Sequence, residues 1–173
     1  MNILCFGDSN TWGYDPRSWL GDRYASPWPE HLAHLTGWEV HNQGQNGREI
    51  PREMTPCTCD LMIVMLGTND LLQGHSPQQV SLRMETFLKT VQMPVLFLSP
   101  PPMASGEWVQ EPSLIENSHQ LTREYAALAN QLHICFCDTE QWRIPLCFDG
   151  VHFTESGHKS FAEHLVQYLK EHL

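Results

Sequence analysis

The chain has no long apolar run, no surplus of basic residues and no cysteine pair at the usual zinc-binding spacing. A membrane-spanning helix needs about 20 consecutive apolar residues, and no stretch approaches that, so a helical span is excluded. Lys and Arg number 10 against 20 Asp and Glu, for a formal net charge of -10. A nucleic-acid backbone or an anionic membrane surface is therefore repelled on average, and neither is expected as a partner. The cysteines are Cys5, Cys57, Cys59, Cys135, Cys137 and Cys147. Two pairs have a single residue between them, closer than zinc ligands on a turn normally stand, so no metal is expected. Residues 2–6 are too short for a signal-peptide apolar region and lack a basic start. Reduced thiols in a cytoplasmic protein are the expectation.

Linkers and internal repeats are also missing. With 41% apolar and 17% charged residues, the 173-residue chain has an ordinary globular composition and a size suited to one core, so one domain over residues 1–173 is expected. Short apolar runs at residues 2–6, 60–66, 94–99 and 133–137, with a weaker one at 38–41, read as buried strands. Between them, helical patterns cover residues 77–92 and 113–131, a shorter one covers 29–35, and a last one runs from about Thr154 to the end. Such alternation predicts an α/β fold, a five-stranded parallel sheet of the doubly wound, flavodoxin-like kind with helices on both faces. Ligands of these sheets bind beyond the carboxyl ends of the strands. Ser9, Gly47 and Asn69 follow successive strands, and Asp149 and His152 precede the last helix, so all five should meet on one rim.

Four segments on that rim carry chemistry. Ser9 follows Gly7-Asp8 at the end of the first strand and is a candidate nucleophile, although Asp-Ser-Asn is also a common capping sequence. Asp149 and His152 stand at i and i+3, which lets a carboxylate hold one ring nitrogen while the other faces a hydroxyl. The alternative is a tight Asp-Gly turn beside an ordinary loop histidine. Gly67-Thr68-Asn69-Asp70 follows the most apolar run, where the Asn69 amide could donate to a developing oxyanion or could instead cap a helix. Residues 42–48 form a turn-rich loop whose Gly44 or Gly47 could bring a backbone amide close to a ligand.

Taken in order, Gly7-Asp8-Ser9, Gly47, Gly67-Thr68-Asn69-Asp70 and Asp149-Gly150-Val151-His152 resemble the blocks of the SGNH/GDSL hydrolase superfamily over nearly the whole chain. The wording around them is similar to that of the bacterial arylesterase and acyltransferase branch. The resemblance implies that Ser9 is the nucleophile, His152 the base and Asp149 its orienting carboxylate. It implies an oxyanion hole made of the Ser9 and Gly47 amides and the Asn69 side chain, with no cofactor. Gly47 is preferred to Gly44 because Asn42 stands five residues before it. Asn10 departs from the leucine of the family's name, at a position to which that pattern gives no catalytic role.

Asp8, Trp12, Tyr14 and Arg48 are the nearest candidates for a substrate pocket, with Trp28, Pro29 and Trp108 in other rim loops. Little inserted chain is available to build a lid, which favours short acyl groups. The expectation is a serine esterase for small ester substrates. Thioesterase, sugar deacetylase and acyltransferase share the same acyl-enzyme and stay open, as does a non-catalytic ligand-binding α/β domain. The apolar stretch at residues 100–103 could shape the pocket or a homo-oligomer contact.

Overall fold

The computed structural model describes residues 1–172. Its strands are β1 (Asn2–Gly7), β2 (Glu39–Gly44), β3 (Leu61–Met65), β4 (Val95–Leu98) and β5 (Cys135–Cys137). Its helices are α1 (Ser9–Trp12), α2 (Trp28–Thr36), α3 (Thr68–Leu72), α4 (Pro77–Leu88), α5 (Pro112–Leu132) and α6 (Glu155–His172). The strands form one sheet in the order β2-β1-β3-β4-β5, and every pairing is parallel. This is the flavodoxin-type order, in which the chain reverses its direction of winding between β1 and β3.

Alternate residues of a strand face opposite sides, and here each set meets its own pair of helices. Leu4, Phe6, Met62, Val64 and Phe97 pack against α4 and α5 through Val80, Met84, Phe87, Leu121 and Tyr125. Ile3, Cys5, Ile63, Met65 and Leu96 pack against α2 and α6 through Trp28, Leu32, Phe161 and Leu165. Central β3 is buried at all five positions, which is why it reads as the most apolar run. Edge strand β2 alternates exposed and half-buried residues, which is why its signal is weak.

Several boundaries differ from the sequence expectation for local reasons. The helix expected over 77–92 stops at Leu88, because the Thr90 amide and hydroxyl both turn back to the Phe87 carbonyl. Its start is set by Ser76 and Gln79, which bond each other's backbone amides as a capping box. The strand expected from residue 133 begins at Cys135, since His133 closes α5 in a left-handed conformation with φ 55°. No helix links β2 to β3. Residues 45–60 are irregular, with Pro51 and Pro56 lacking amide donors, and they lay Ile50 and Met54 over the sheet face. Among the described residues, no helix is long and apolar enough to cross a membrane.

Phe161 is fully buried and its ring lies within 5.3 Å of the rings of Trp28, Trp142 and Phe153. Phe161→Ala should therefore cost about 3–5 kcal/mol, read as a lower urea midpoint with an unchanged slope.

Candidate active site

Ser9 begins α1 immediately after β1, where the Asp8 carboxylate caps the turn by accepting from the Asn10 amide at 3.0 Å. Gly44 ends β2 against this turn. A Cβ there would stand 2.0 Å from the Trp12 amide nitrogen, so only glycine lets the end of β2 approach α1 so closely. The Ser9 hydroxyl lies 2.9 Å from His152 Nε2, and His152 Nδ1 lies 2.6 Å from Asp149 Oδ2. Asp149 and His152 are almost wholly buried, with exposures of 0% and 2%. An ionised carboxylate only accepts, so Nδ1 carries the ring proton and Nε2 presents its lone pair to the Ser9 hydroxyl.

Burial alone would raise the Asp149 pKa. Hydrogen bonds from the His152 ring and from the His152 and Val151 amides outweigh it, and the carboxyl is held below its ordinary range. Asp8 behaves oppositely. Burial pushes it up to about 6, only partly offset by the Asn10 amide and the nearby His152.

Asn69 sits in the first turn of α3, and its side-chain amide donates one hydrogen to the Arg48 carbonyl at 3.1 Å. The second hydrogen is left for the cavity. Gly67 rather than a side chain caps α3, so neither Asn69 nor Asp70 is spent on capping. Buried Asp70 instead accepts from the Ile50 amide at 3.2 Å and pairs with Arg83 at 3.1 Å, and Arg83 also donates to the Ile50 carbonyl. Asn69 and Asp70 thus tie down the loop that carries Gly47. Gly47 and Ser9 amides make no hydrogen bond to the protein among the described residues.

A cavity of about 260 Å³ opens over Ser9, lined by Ser9, Tyr14, Asn46, Gly47, Asn69, Leu72, Trp108, Val151 and His152. Every sequence-derived candidate for the triad and oxyanion hole is therefore on one rim. Of the four pocket candidates, Tyr14 alone lines the cavity. Asp8 is turned inward as the cap of α1. Trp12 ends α1 with the Arg23 guanidinium over its ring. Arg48 is committed elsewhere, donating to the Gly7 and Gln43 carbonyls at the ends of β1 and β2 and stacking on Phe6. Trp28 and Pro29 are likewise buried in α2.

Trp108 does reach the site. Its strap is fastened to the loop that carries Asp149 and His152 by three backbone bonds, from the Ala104 amide to the Gly150 carbonyl, Glu107 to Phe148 and Trp108 to Asp149. Gly106 lies against the Asp149 backbone with no room for a Cβ. His152 is consequently held between two aromatic rings, Tyr14 at 4.8 Å and Trp108 at 5.0 Å. Leu72 and Asn46 complete the wall and were not legible in the sequence, because nothing local says which loop residues turn toward Ser9. All six cysteines are free, and among the described residues no three His, Cys, Asp or Glu side chains are grouped as metal ligands.

A hydroxyl, an imidazole and a buried carboxylate in one hydrogen-bonded row, at the carboxyl edge of a parallel sheet, define a serine hydrolase. The chain belongs to the GDSL-like lipase/acylhydrolase family, whose model matches residues 5–160. Among solved structures, an aryl esterase from M. smegmatis is 28% identical, with 99% of each chain covered and a TM-score of 0.83. A carbohydrate acetylesterase from Sinorhizobium meliloti is 22% identical with 99% of each chain covered and a TM-score of 0.86. A lipolytic G-D-S-L family member from Veillonella parvula is 20% identical with 98% of each chain covered and a TM-score of 0.76. The last two bear on the fold alone. No curated protein matches the chain.

The raised pKa of Asp8 has a thermodynamic sign. The unfolded carboxyl ionises near its ordinary value of 3.8 and the folded one only near 6, so folding is penalised increasingly as pH rises through that interval. Asp8→Asn keeps the cap acceptor and removes the penalty. It should be more stable than the parent at pH 8, by on the order of 2–3 kcal/mol, and no more stable at pH 3.5, as read by urea denaturation.

Proposed function

We propose that the protein hydrolyses small, uncharged carboxylic esters, acetyl esters above all, through an acyl-enzyme on Ser9. The 2.9 Å contact between Ser9 and His152 carries the reading. His152 removes the Ser9 proton as the hydroxyl attacks the ester carbonyl, and Asp149 stabilises the imidazolium that forms. The tetrahedral oxyanion is received by the Ser9 and Gly47 amides and the free Asn69 amide hydrogen. His152 then returns its proton to the leaving alcohol. Water repeats the sequence on the acyl-enzyme and releases the acid.

The cavity walls explain the choice of substrate. None of the lining residues carries a formal charge with His152 neutral, and Arg48, which follows Gly47 in the chain, is bound to strand-end carbonyls. A volume of about 260 Å³ is less than the ~300–1,000 Å³ of a typical drug-sized site, which suits a short acyl group. Tyr14 and Trp108 favour a ring in the leaving group, in keeping with the aryl esterase among the similar structures. The six free cysteines support a cytoplasmic location.

Ser9→Ala should lower kcat on p-nitrophenyl acetate by roughly 10⁴-fold or more, and an unchanged rate would overturn the assignment. Across p-nitrophenyl esters, kcat/KM should fall steadily from acetyl to octanoyl. Trp108→Ala should lower kcat/KM for aryl acetates by roughly 10-fold while changing ethyl acetate hydrolysis less, a difference read directly from paired assays.

A further inference from the structure

Beside Ser9 itself, Asn10 is the polar side chain of the nucleophile's turn that reaches across to the loop carrying the base. It is 6% exposed, and both ends of its amide are used. Its Nδ2 donates to the Val151 carbonyl at 3.1 Å, and its Oδ1 accepts from the Phe153 amide at 2.9 Å. His152 stands between those two residues. The backbone of residues 151–153 has six polar groups, and each has a partner. The Val151 and His152 amides donate to Asp149 Oδ1, at 2.9 and 3.0 Å. The His152 carbonyl accepts from the Cys147 amide at 2.7 Å, and the Phe153 carbonyl from the Cys147 thiol at 3.4 Å. Those four bonds all go to Cys147 and Asp149 of the same loop. Apart from the Ser9–His152 contact itself, the two bonds to Asn10 are, among the described residues, the hydrogen bonds that fix that loop to the turn bearing Ser9.

From this arrangement we infer that Asn10 is a positioning residue that sets the Ser9–His152 separation by clamping the backbone on either side of the base. The leucine of the family's name would leave the Val151 carbonyl and the Phe153 amide without partners in a buried place. In this chain, position 10 therefore has a role that the family's motif does not assign to it. Asn10 touches no reacting atom and acts through His152.

The inference rests on Ser9 and His152 acting as proposed, and the experiment separates the two. Asn10→Ala and the near-isosteric Asn10→Asp, which keeps the acceptor facing Phe153 and loses the donor to Val151, are assayed on p-nitrophenyl acetate. Rates of the Asn10 variants are expressed per active site after exhaustive fluorophosphonate titration, and those of Ser9→Ala, His152→Ala and the His152→Ala/Asn10→Ala double variant per mole of folded protein, since they lack the titratable nucleophile or its base. Asn10→Ala should lower kcat by roughly 10- to 100-fold with KM within about twofold, and slow the fluorophosphonate reaction by the same factor. Asn10→Asp should lose at least about fivefold. In a His152→Ala background, Asn10→Ala should change the residual rate by less than about twofold, because no base remains to be positioned. A merely structural role would lower the melting temperature and the titrated fraction while leaving the rate per site unchanged, and that result in either variant overturns the inference. If Ser9→Ala retains the parent rate, it is the esterase reading that fails.

Discussion

The 2.9 Å hydrogen bond from Ser9 to His152 joins residues that stand 143 apart in sequence, and much of the fold serves to keep them together. Neither residue lies in an element long enough to be rigid alone. Ser9 opens a four-residue helix, and His152 occupies a loop before α6. Rigidity comes from the sheet beneath. β1 is paired on both sides and buried, so its carboxyl end is a fixed point, and the parallel order sets the ends of β2 and β3 beside it. Gly44, Asn69 and the irregular loop between them then close around one small volume.

Electrostatics follows from the same burial. Two carboxylates lie near the site, and the surroundings set them apart. Asp149 gains three hydrogen bonds and stays ionised, as a partner for an imidazolium must. Asp8 gains one amide bond and is pushed up to about 6. The difference lies in how many donors each is given, since burial raises both. Asp70 shows a third arrangement, in which Arg83 and the Ile50 amide partly offset burial while the carboxylate anchors the loop that bears Gly47.

Much of this was legible in the chain. The strands were visible because parallel strands buried on both faces are continuous apolar runs, Ser9 and Asn69 because glycine-containing turns follow two of those runs, and Asp149 and His152 because they stand three apart just before the last helix. The pocket was less so. Trp12 and Arg48 lie close to Ser9 and Gly47 in sequence, yet one turn of helix and a pair of strand-end carbonyls direct them elsewhere. Trp108 is remote in sequence and reaches the cavity only because its strap pairs with the catalytic loop. Asn10 looked like a neutral departure from the motif, because its two bonds go to residues 141 and 143 positions away.

The most direct measurement is to trap the intermediate. Protein mixed with p-nitrophenyl acetate and quenched in acid within a turnover should carry one acetyl group, located by peptide mass spectrometry on the segment containing Ser9, with a burst of p-nitrophenol equal to the active-site concentration. An acetyl group absent from that segment, or found on another nucleophile with Ser9 unmodified, would contradict the account.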